Sequence, residues 1–149
     1  MYRNEPKEVS AEMQLKAIEL LNLSLVAPAV PGANLTQFHF NINVESRIDE
    51  PNKLVMVIVH LEIKNDNQSQ VLGTIAVSCI FEINNFSQVI SKQANGMFSI
   101  PTGLVAHMND IAISTCRGVM FSSFKGTFLH NAVLPIIDPN QFQAGQGMR

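Results

Sequence analysis

Residues 38–44 read Phe-His-Phe-Asn-Ile-Asn-Val, and this stretch decides the fold. The apolar Phe38, Phe40 and Ile42 alternate with polar residues, a period of two that is typical of a half-buried strand. Antiparallel sheets commonly bury one face and leave the other in water. The stretch therefore predicts an antiparallel sheet, whose other strands should lie on either side of it in the chain.

Two strands are predicted after it. Residues 54–63 are apolar on both faces in their first half, as expected of a central strand or an interface strand. Residues 71–83 alternate again and place Ile75, Val77, Cys79, Phe81 and Ile83 on one face. The segments 50–52 and 65–68 are rich in the residues that form turns, so they should connect these strands directly.

A further strand is predicted before it. Residues 21–27 read Leu-Asn-Leu-Ser-Leu-Val-Ala, again with a period of two. This strand can extend back to about Gln14, although residues 17–21 alone also suit a helix. Pro28 and the Pro-Gly pair that follows end the pattern in a loop over residues 28–36.

The last part of the chain changes in character. Residues 84–102 predict a loop with one short helix at most. A long helix is predicted from about Gly103 to Lys125, with Gly126 just beyond it, where a C-terminal glycine is expected. Its apolar stripe consists of Leu104, Met108, Ile111, Thr115 and Val119, with Ala112 and Cys116 alongside.

This order of elements predicts an α+β fold, in which a four-stranded antiparallel sheet carries a long C-terminal helix on one face. The 149 residues suit one domain, which we expect over residues 13–142 between flexible segments at 1–12 and 143–149. Leu54, Met56 and Ile58 would emerge on the other sheet face. A second subunit is the simplest cover for them.

The composition narrows the class of function. Charged residues make up 15%, against about 25% in a typical protein, and Asn, Gln and Ser replace them. A surface with few charges indicates an oligomer or an adhesive working surface, although an Asn-rich genome gives the same composition. The net charge of −2 and the scattered basic residues argue against nucleic-acid binding.

The expected location is the cytoplasm. The first ten residues, MYRNEPKEVS, are polar and lack the apolar core of a signal peptide. The chain contains no run of 18 apolar residues, so membrane insertion is not expected.

Candidates for catalysis are few. His107 and Asp110 are three residues apart on the predicted helix and could form a general base, but the same spacing also describes a solvated helix face. His39 and His60 should be surface or interface residues of strands. No metal-ligand spacing and no phosphate-binding loop occurs, so we expect no enzyme, no cofactor and no metal site.

The two cysteines, Cys79 and Cys116, lie far apart in apolar surroundings. Free buried cysteine behaves as a small hydrophobe, so we expect two buried thiols rather than a disulfide.

A binding groove is the sharper hypothesis. Phe38 and Phe40 lie beside a loop that carries Val30 and Leu35, and a strand edge beside an apolar loop could hold an extended client chain. The alternative is that these phenylalanines are ordinary core residues. Nine Phe and seven Met supply adaptable apolar groups for either role.

Several short stretches occur in a characteristic order. Residues 23–28 read Leu-Ser-Leu-Val-Ala-Pro, and the alternating strand 38–44 follows with a hairpin after it. Ala106-His107 lies near the start of the predicted helix, and beyond its end Lys-Gly-Thr-Phe at 125–128 is followed by Leu-Pro at 134–135. In this order of elements the chain resembles the SecB family of export chaperones, specifically its divergent SecB-like branch, over about residues 13–142.

The resemblance implies an ATP-independent holdase that binds unfolded polypeptides along apolar grooves, as in protein export. It implies a homotetramer, a dimer of dimers, with helices between the sheets. The polypeptide-binding residues it implies are Val30, Leu35, Phe38, Phe40 and Ile42. The oligomer interface it implies includes Leu54, Met56, Ile58, Met108, Ile111 and Thr115.

One departure concerns the export motor. Acidic side chains of export SecB engage SecA, whereas the matching residues here are the uncharged Asn22, Val26 and Thr74. SecA is therefore a doubtful partner. SecB-like relatives can instead serve one toxin–antitoxin pair, so a dedicated chaperone or a binding module for a single partner is the alternative.

Overall fold

A computed structural model describes residues 9–29 and 37–137. The strands are β1 (Met13–Leu25), β2 (Phe38–Asp49), β3 (Leu54–Asn65), β4 (Val71–Ile83), β5 (Ser91–Lys92) and β6 (Phe98–Ser99). The helices are α1 (Phe86–Val89) and α2 (Thr102–Ser123).

The main sheet has four strands in the order β1-β4-β3-β2, and all neighbouring strands are antiparallel. The predicted fold class, a four-stranded antiparallel sheet with a long C-terminal helix, is confirmed. Strand β4 has the predicted bounds, and β1 is a strand along its whole length, so the helical alternative for residues 17–21 is wrong. Between α1 and α2, the small hairpin of β5 and β6 was not predicted.

The turns and the helix end follow the local chemistry. Lys53 and Gln68 have a positive φ in the connections after β2 and β3, where the chain reverses tightly. Helix α2 ends at Ser123, two residues before the predicted end. Gly126 has φ +80°, a left-handed conformation that glycine adopts without steric cost.

The core lies between α2 and the two central strands. The predicted inward face of β4, residues Ile75 to Ile83 in steps of two, is confirmed, because each of those side chains is at most 1% exposed. Helix α2 packs mainly on β3 and β4. Its buried side facing the core includes Val105, Met108, Ala112, Cys116 and Met120.

The predicted helical stripe is corrected by this arrangement. Met108 is buried as predicted, and so are Ala112 and Cys116 alongside the stripe, but the centre of the buried side is shifted from the predicted one by about one residue, or about 100° around the helix. Leu104, Ile111 and Thr115 therefore lie on its flank and are half-buried. The helix is apolar over a wide arc, and periodicity alone does not choose the side that faces a sheet.

The chain folds back after α2. Leu129, Ala132 and Leu134 are buried in the core. Arg117 fixes this return, because its Nε donates to the Leu134 carbonyl and its Nη2 donates to the Pro135 carbonyl, both at 2.8 Å. Within the described residues, no helix combines the length and the apolar character that crossing a membrane requires.

Candidate polypeptide-binding surface

Strand β1 leaves its helix-facing side open. Helix α2 packs mainly over the central strands, so side chains on this edge strand lie beside the helix rather than beneath it. Five large apolar residues point to the same side as the buried residues of β4, and each is 41–50% exposed. We call these five residues the β1 stripe: Leu15, Ile18, Leu20, Leu23 and Leu25.

Two bulges make the stripe continuous. The pairing of β1 with β4 shifts register between Leu15 and Ala17 and again between Leu20 and Asn22. Each extra residue resets the alternation of side chains, so apolar residues at steps of three and two share one face. This spacing also resembles a helical pattern, which is why sequence reasoning missed the stripe as a surface.

The β1 stripe continues into an open groove at its start. Met13 faces the same side of β1 and pairs with Ile83 of β4. The groove has a volume of ≈ 900 Å³ between the start of β1, helix α1 and the start of α2. Its apolar lining includes Val9, Ala11, Met13, Val89 and Leu104.

The predicted binding residues of β2 lie at the opposite edge of the sheet. Phe38, Phe40 and Ile42 share the helix-facing side and are half-buried against the core. The structure therefore brings these three residues together. The other two predicted members of the site, Val30 and Leu35, lie outside the described residues.

The face of the sheet that points away from α2, which we call the far face, carries the predicted interface residues of β3. Leu54 and Met56 are half-buried there, whereas Ile58 is only 6% exposed because its own sheet neighbours cover it. On the helix, Met108 is 1% exposed and belongs to the core. Ile58 and Met108 therefore have little exposed surface for a partner, whereas Ile111 and Thr115 are half-buried and keep part of their surface exposed.

A small charged network occupies the same far face. Arg47 Nε donates to Glu45 Oε1 at 2.7 Å, and His60 Nε2 lies 3.2 Å from Glu45 Oε2. These two contacts, with that of Arg47 the stronger, hold the pKa of the Glu45 carboxyl below its ordinary value. The network places charge at the later part of β2, away from Phe38 and Phe40.

Asn22, Val26 and Thr74, the residues expected to replace the SecA-binding acids of export SecB, carry no charge. Asn22 Nδ2 donates to Thr74 Oγ1 at 2.9 Å, and the Thr74 hydroxyl is also hydrogen-bonded to that of Ser24. Val26 is exposed and apolar. These three residues therefore offer amide, hydroxyl and methyl groups, whereas the carboxylate of Glu62 on this face lies opposite Thr74 on β3.

The groups considered for chemistry lie in two different places: His107 and Asp110 on α2, with His107 also lining the groove, and the two cysteines in the core. His107 and Asp110 are both exposed on α2. Cys79 and Cys116 are buried, as predicted, and burial raises the pKa of both thiols, that of Cys116 to about 12. Both thiols therefore stay protonated at neutral pH and are poor nucleophiles. Among the described residues, no three potential ligands are grouped to hold a metal ion.

The fold matches a solved chaperone structure. A SecB-like chaperone of Mycobacterium tuberculosis, in complex with a ChAD peptide from the HigA1 antitoxin, is similar in fold with a TM-score of 0.55. The similarity covers 85% of this chain and 86% of that chain, at 11% sequence identity. No family model and no curated protein sequence matches this chain. At this identity the likeness is one of fold.

Proposed function

We propose that this protein is an ATP-independent holdase that binds unfolded or non-native polypeptides through apolar surfaces of its sheet. The observation that carries the proposal is the half-buried apolar row of Phe38, Phe40 and Ile42 on the edge strand β2. The exposed β1 stripe supports an oligomer that presents several such rows. The SecB-like fold and the peptide bound to the matching chaperone support it. The proposed clients are cytoplasmic polypeptides, and the proposal involves no nucleic acid, cofactor or membrane insertion.

The size of these surfaces indicates how they work. Burying a large aliphatic side chain completely contributes about 1.5–3 kcal/mol. Covering the exposed half of the five side chains in the β1 stripe would therefore contribute roughly 4–7 kcal/mol before the costs of association. The row of Phe38, Phe40 and Ile42 on β2 has only three half-buried side chains and contributes less than this. It should bind a client weakly by itself, so an oligomer that presents several rows to one client would gain by multivalency.

We assign different roles to the two edges of the sheet. The β1 stripe is the more exposed, and obligate interfaces between subunits are typically the more apolar ones. It is therefore proposed to be covered by a second copy, aided by the flank of α2 that carries Ile111 and Thr115. The row of Phe38, Phe40 and Ile42 is proposed to bind clients, and so are Val30 and Leu35, which lie outside the described residues. The proposed assembly is a homotetramer, a dimer of dimers.

Suppression of aggregation tests the proposal. A chemically denatured client protein is diluted into buffer without ATP, and its light scattering is followed with and without the chain. We expect the wild-type chain to slow the aggregation. Phe38→Ala with Phe40→Ala should weaken this effect and leave the mass of the oligomer unchanged, because β2 lies at the opposite edge of the sheet from the β1 stripe.

The matched control lies on the same strand. Asn41→Ala with Asn43→Ala changes two exposed residues on the far face of β2 and should leave the activity as it is. A wild-type chain that does not slow aggregation would contradict the holdase proposal. Equal activity of the phenylalanine double variant and the wild type would contradict only the assignment of the client site.

A dedicated chaperone for one partner, such as an antitoxin, is the second candidate. The observation that favours it is the antitoxin peptide in the matching structure. Capture of partners from cells of the source organism separates the two candidates, because many heterogeneous clients support the general holdase and one stoichiometric partner supports the dedicated form. SecA is not proposed as a partner, since Asn22, Val26 and Thr74 carry no charge.

A further inference from the structure

We propose that β2 takes up its client by strand addition, in which one extended segment of a non-native chain pairs with β2 along residues 38–44. The inference rests on the proposed function and names the mode of recognition at that site. The occupant is an uncharged segment of about seven residues, or about 23 Å of extended chain. Its apolar side chains should recur at every second residue.

The first observation is the edge itself. Strand β2 ends the sheet, so one row of its backbone N–H and C=O groups has no partner among the described strands. Its pairing with β3 runs from Phe38 to Asp49 with no shift of register. Strand β1, the opposite edge, has two register shifts. Bulges twist and interrupt an edge, so β2 is the regular template for an added strand.

The second observation is the distribution of side chains along β2. Phe38, Phe40 and Ile42 line its helix-facing side, where an added strand would extend the cover over the core. The opposite side carries the exposed His39, Asn41 and Asn43 in this part of the strand, and none of them is a carboxylate, Lys or Arg. An added strand with apolar and uncharged polar residues in alternation matches both sides.

The third observation is where this neutral part ends. Beyond Val44, the far face of β2 carries Glu45, Arg47 and Asp49 at successive positions. Charged side chains on an edge strand oppose the addition of further strands. The open part of the edge is therefore limited to residues 38–44, and this limit sets the length of the segment.

Strand addition accounts for a broad choice of clients. The hydrogen bonds of an added strand use backbone groups that every non-proline residue has, so they do not depend on sequence. Selection then comes only from the alternating apolar side chains that meet Phe38, Phe40 and Ile42. A client rich in charge or proline should be rejected.

Peptides with methylated backbone nitrogens test the inference on the full chain. The probe is a fluorescently labelled heptapeptide of alternating Leu and Ser, and its affinity is measured by fluorescence anisotropy. Two further peptides carry N-methyl groups at the odd or at the even residues, so each blocks the N–H groups along one edge only. We expect one of these two to lose roughly tenfold or more in affinity and the other to lose much less.

Hydrogen exchange locates the binding. On addition of the unmodified peptide, backbone amides within residues 38–44 should exchange more slowly, and those of β1 should not change. Equal affinities of the two methylated peptides, or protection confined to β1, would overturn the inference. A peptide affinity that weakens as protein concentration rises would show that a second copy takes this edge, which also overturns it.

The test separates this inference from the proposed function. If denatured clients are held but the two methylated peptides bind alike, strand addition is wrong and the holdase function stands. If neither denatured clients nor peptides bind, the proposed function itself fails.

Discussion

Leu20 on β1 lies directly opposite Val77 on β4, and both side chains point to the helix-facing side of the sheet. Val77 is 0% exposed beneath α2, whereas Leu20 is 49% exposed. The two neighbours differ because the helix packs mainly on β3 and β4, leaving β1 beside it. The boundary of the core therefore runs between these two residues, and the exposed apolar surface of the sheet lies on the side of Leu20.

Substitutions at these two residues should separate stability from association. Val77→Ala removes two buried methyl groups and should lower the free energy of unfolding by about 2 kcal/mol. Leu20→Ser should change the stability of the isolated chain much less and should weaken the oligomer. Urea denaturation and light scattering measure the two effects. If Leu20→Ser leaves the oligomer intact, this boundary is contradicted. It is also contradicted if Leu20→Ser lowers the stability of the isolated chain more than Val77→Ala does.

Gly73→Ala should destabilise the fold. A Cβ atom at Gly73 would lie 2.7 Å from Leu129 Cδ1 and 3.2 Å from the Ser24 carbonyl oxygen. Leu129 is buried and has little room to move, so we expect a loss of about 1–3 kcal/mol in the free energy of unfolding. Urea denaturation measures it.

Gly118→Ala is the matched control for that substitution. Gly118 lies within α2, and an added Cβ meets no atom within 4 Å. Alanine is preferred over glycine in a helix by about 0.5–1 kcal/mol, so the control should gain stability. A gain of stability at both glycines would show that the contact with Leu129 does not matter.

Arg117→Lys should loosen the segment that follows α2. The guanidinium donates to two successive carbonyls, those of Leu134 and Pro135, and an ammonium does not reproduce that fork. We expect a loss of about 1–3 kcal/mol and faster hydrogen exchange over residues 129–134. Unchanged exchange in this segment would mean that the burial of Leu129 and Leu134 is sufficient to hold it.

Glu45→Gln should have an effect that depends on pH. Because contacts with Arg47 and His60 lower the pKa of Glu45 in the folded state, ionised Glu45 stabilises the fold above the ordinary carboxyl pKa. That contribution is lost as the pH falls through the lowered value. The variant should be less stable than the wild type at neutral pH, by less than about 1 kcal/mol for this partly exposed group. The difference should vanish in acid, and a difference that persists there would come from packing instead.

The sequence was most informative where the period of two was unbroken. Residues 71–83 gave the bounds and the buried face of β4, since alternation there is uninterrupted. Residues 38–44 likewise predicted the inward side of β2. In both strands hydropathy is enough to identify the side that faces α2, although Ala76 and Ser78 on the far face of β4 are buried as well.

The sequence pattern did not predict the features that depend on how a strand or helix packs against its neighbouring element. The extra residues in β1, at Lys16 and Leu21, are set by its pairing with β4, and no local pattern marks them. For the same reason the predicted apolar stripe of α2 begins at Leu104 and ends at Val119, each one residue before the buried Val105 and Met120. The open side of β1 follows only from where the helix packs, which is a property of the tertiary structure.

The mass of the purified protein in solution tests the central claim most directly. Side chains of the β1 stripe that are 41–50% exposed in one subunit should be covered by another copy. Size-exclusion chromatography with multi-angle light scattering should therefore give a multiple of 16.4 kDa, and four times that mass for the proposed tetramer. A mass of 16.4 kDa at every protein concentration would contradict the account.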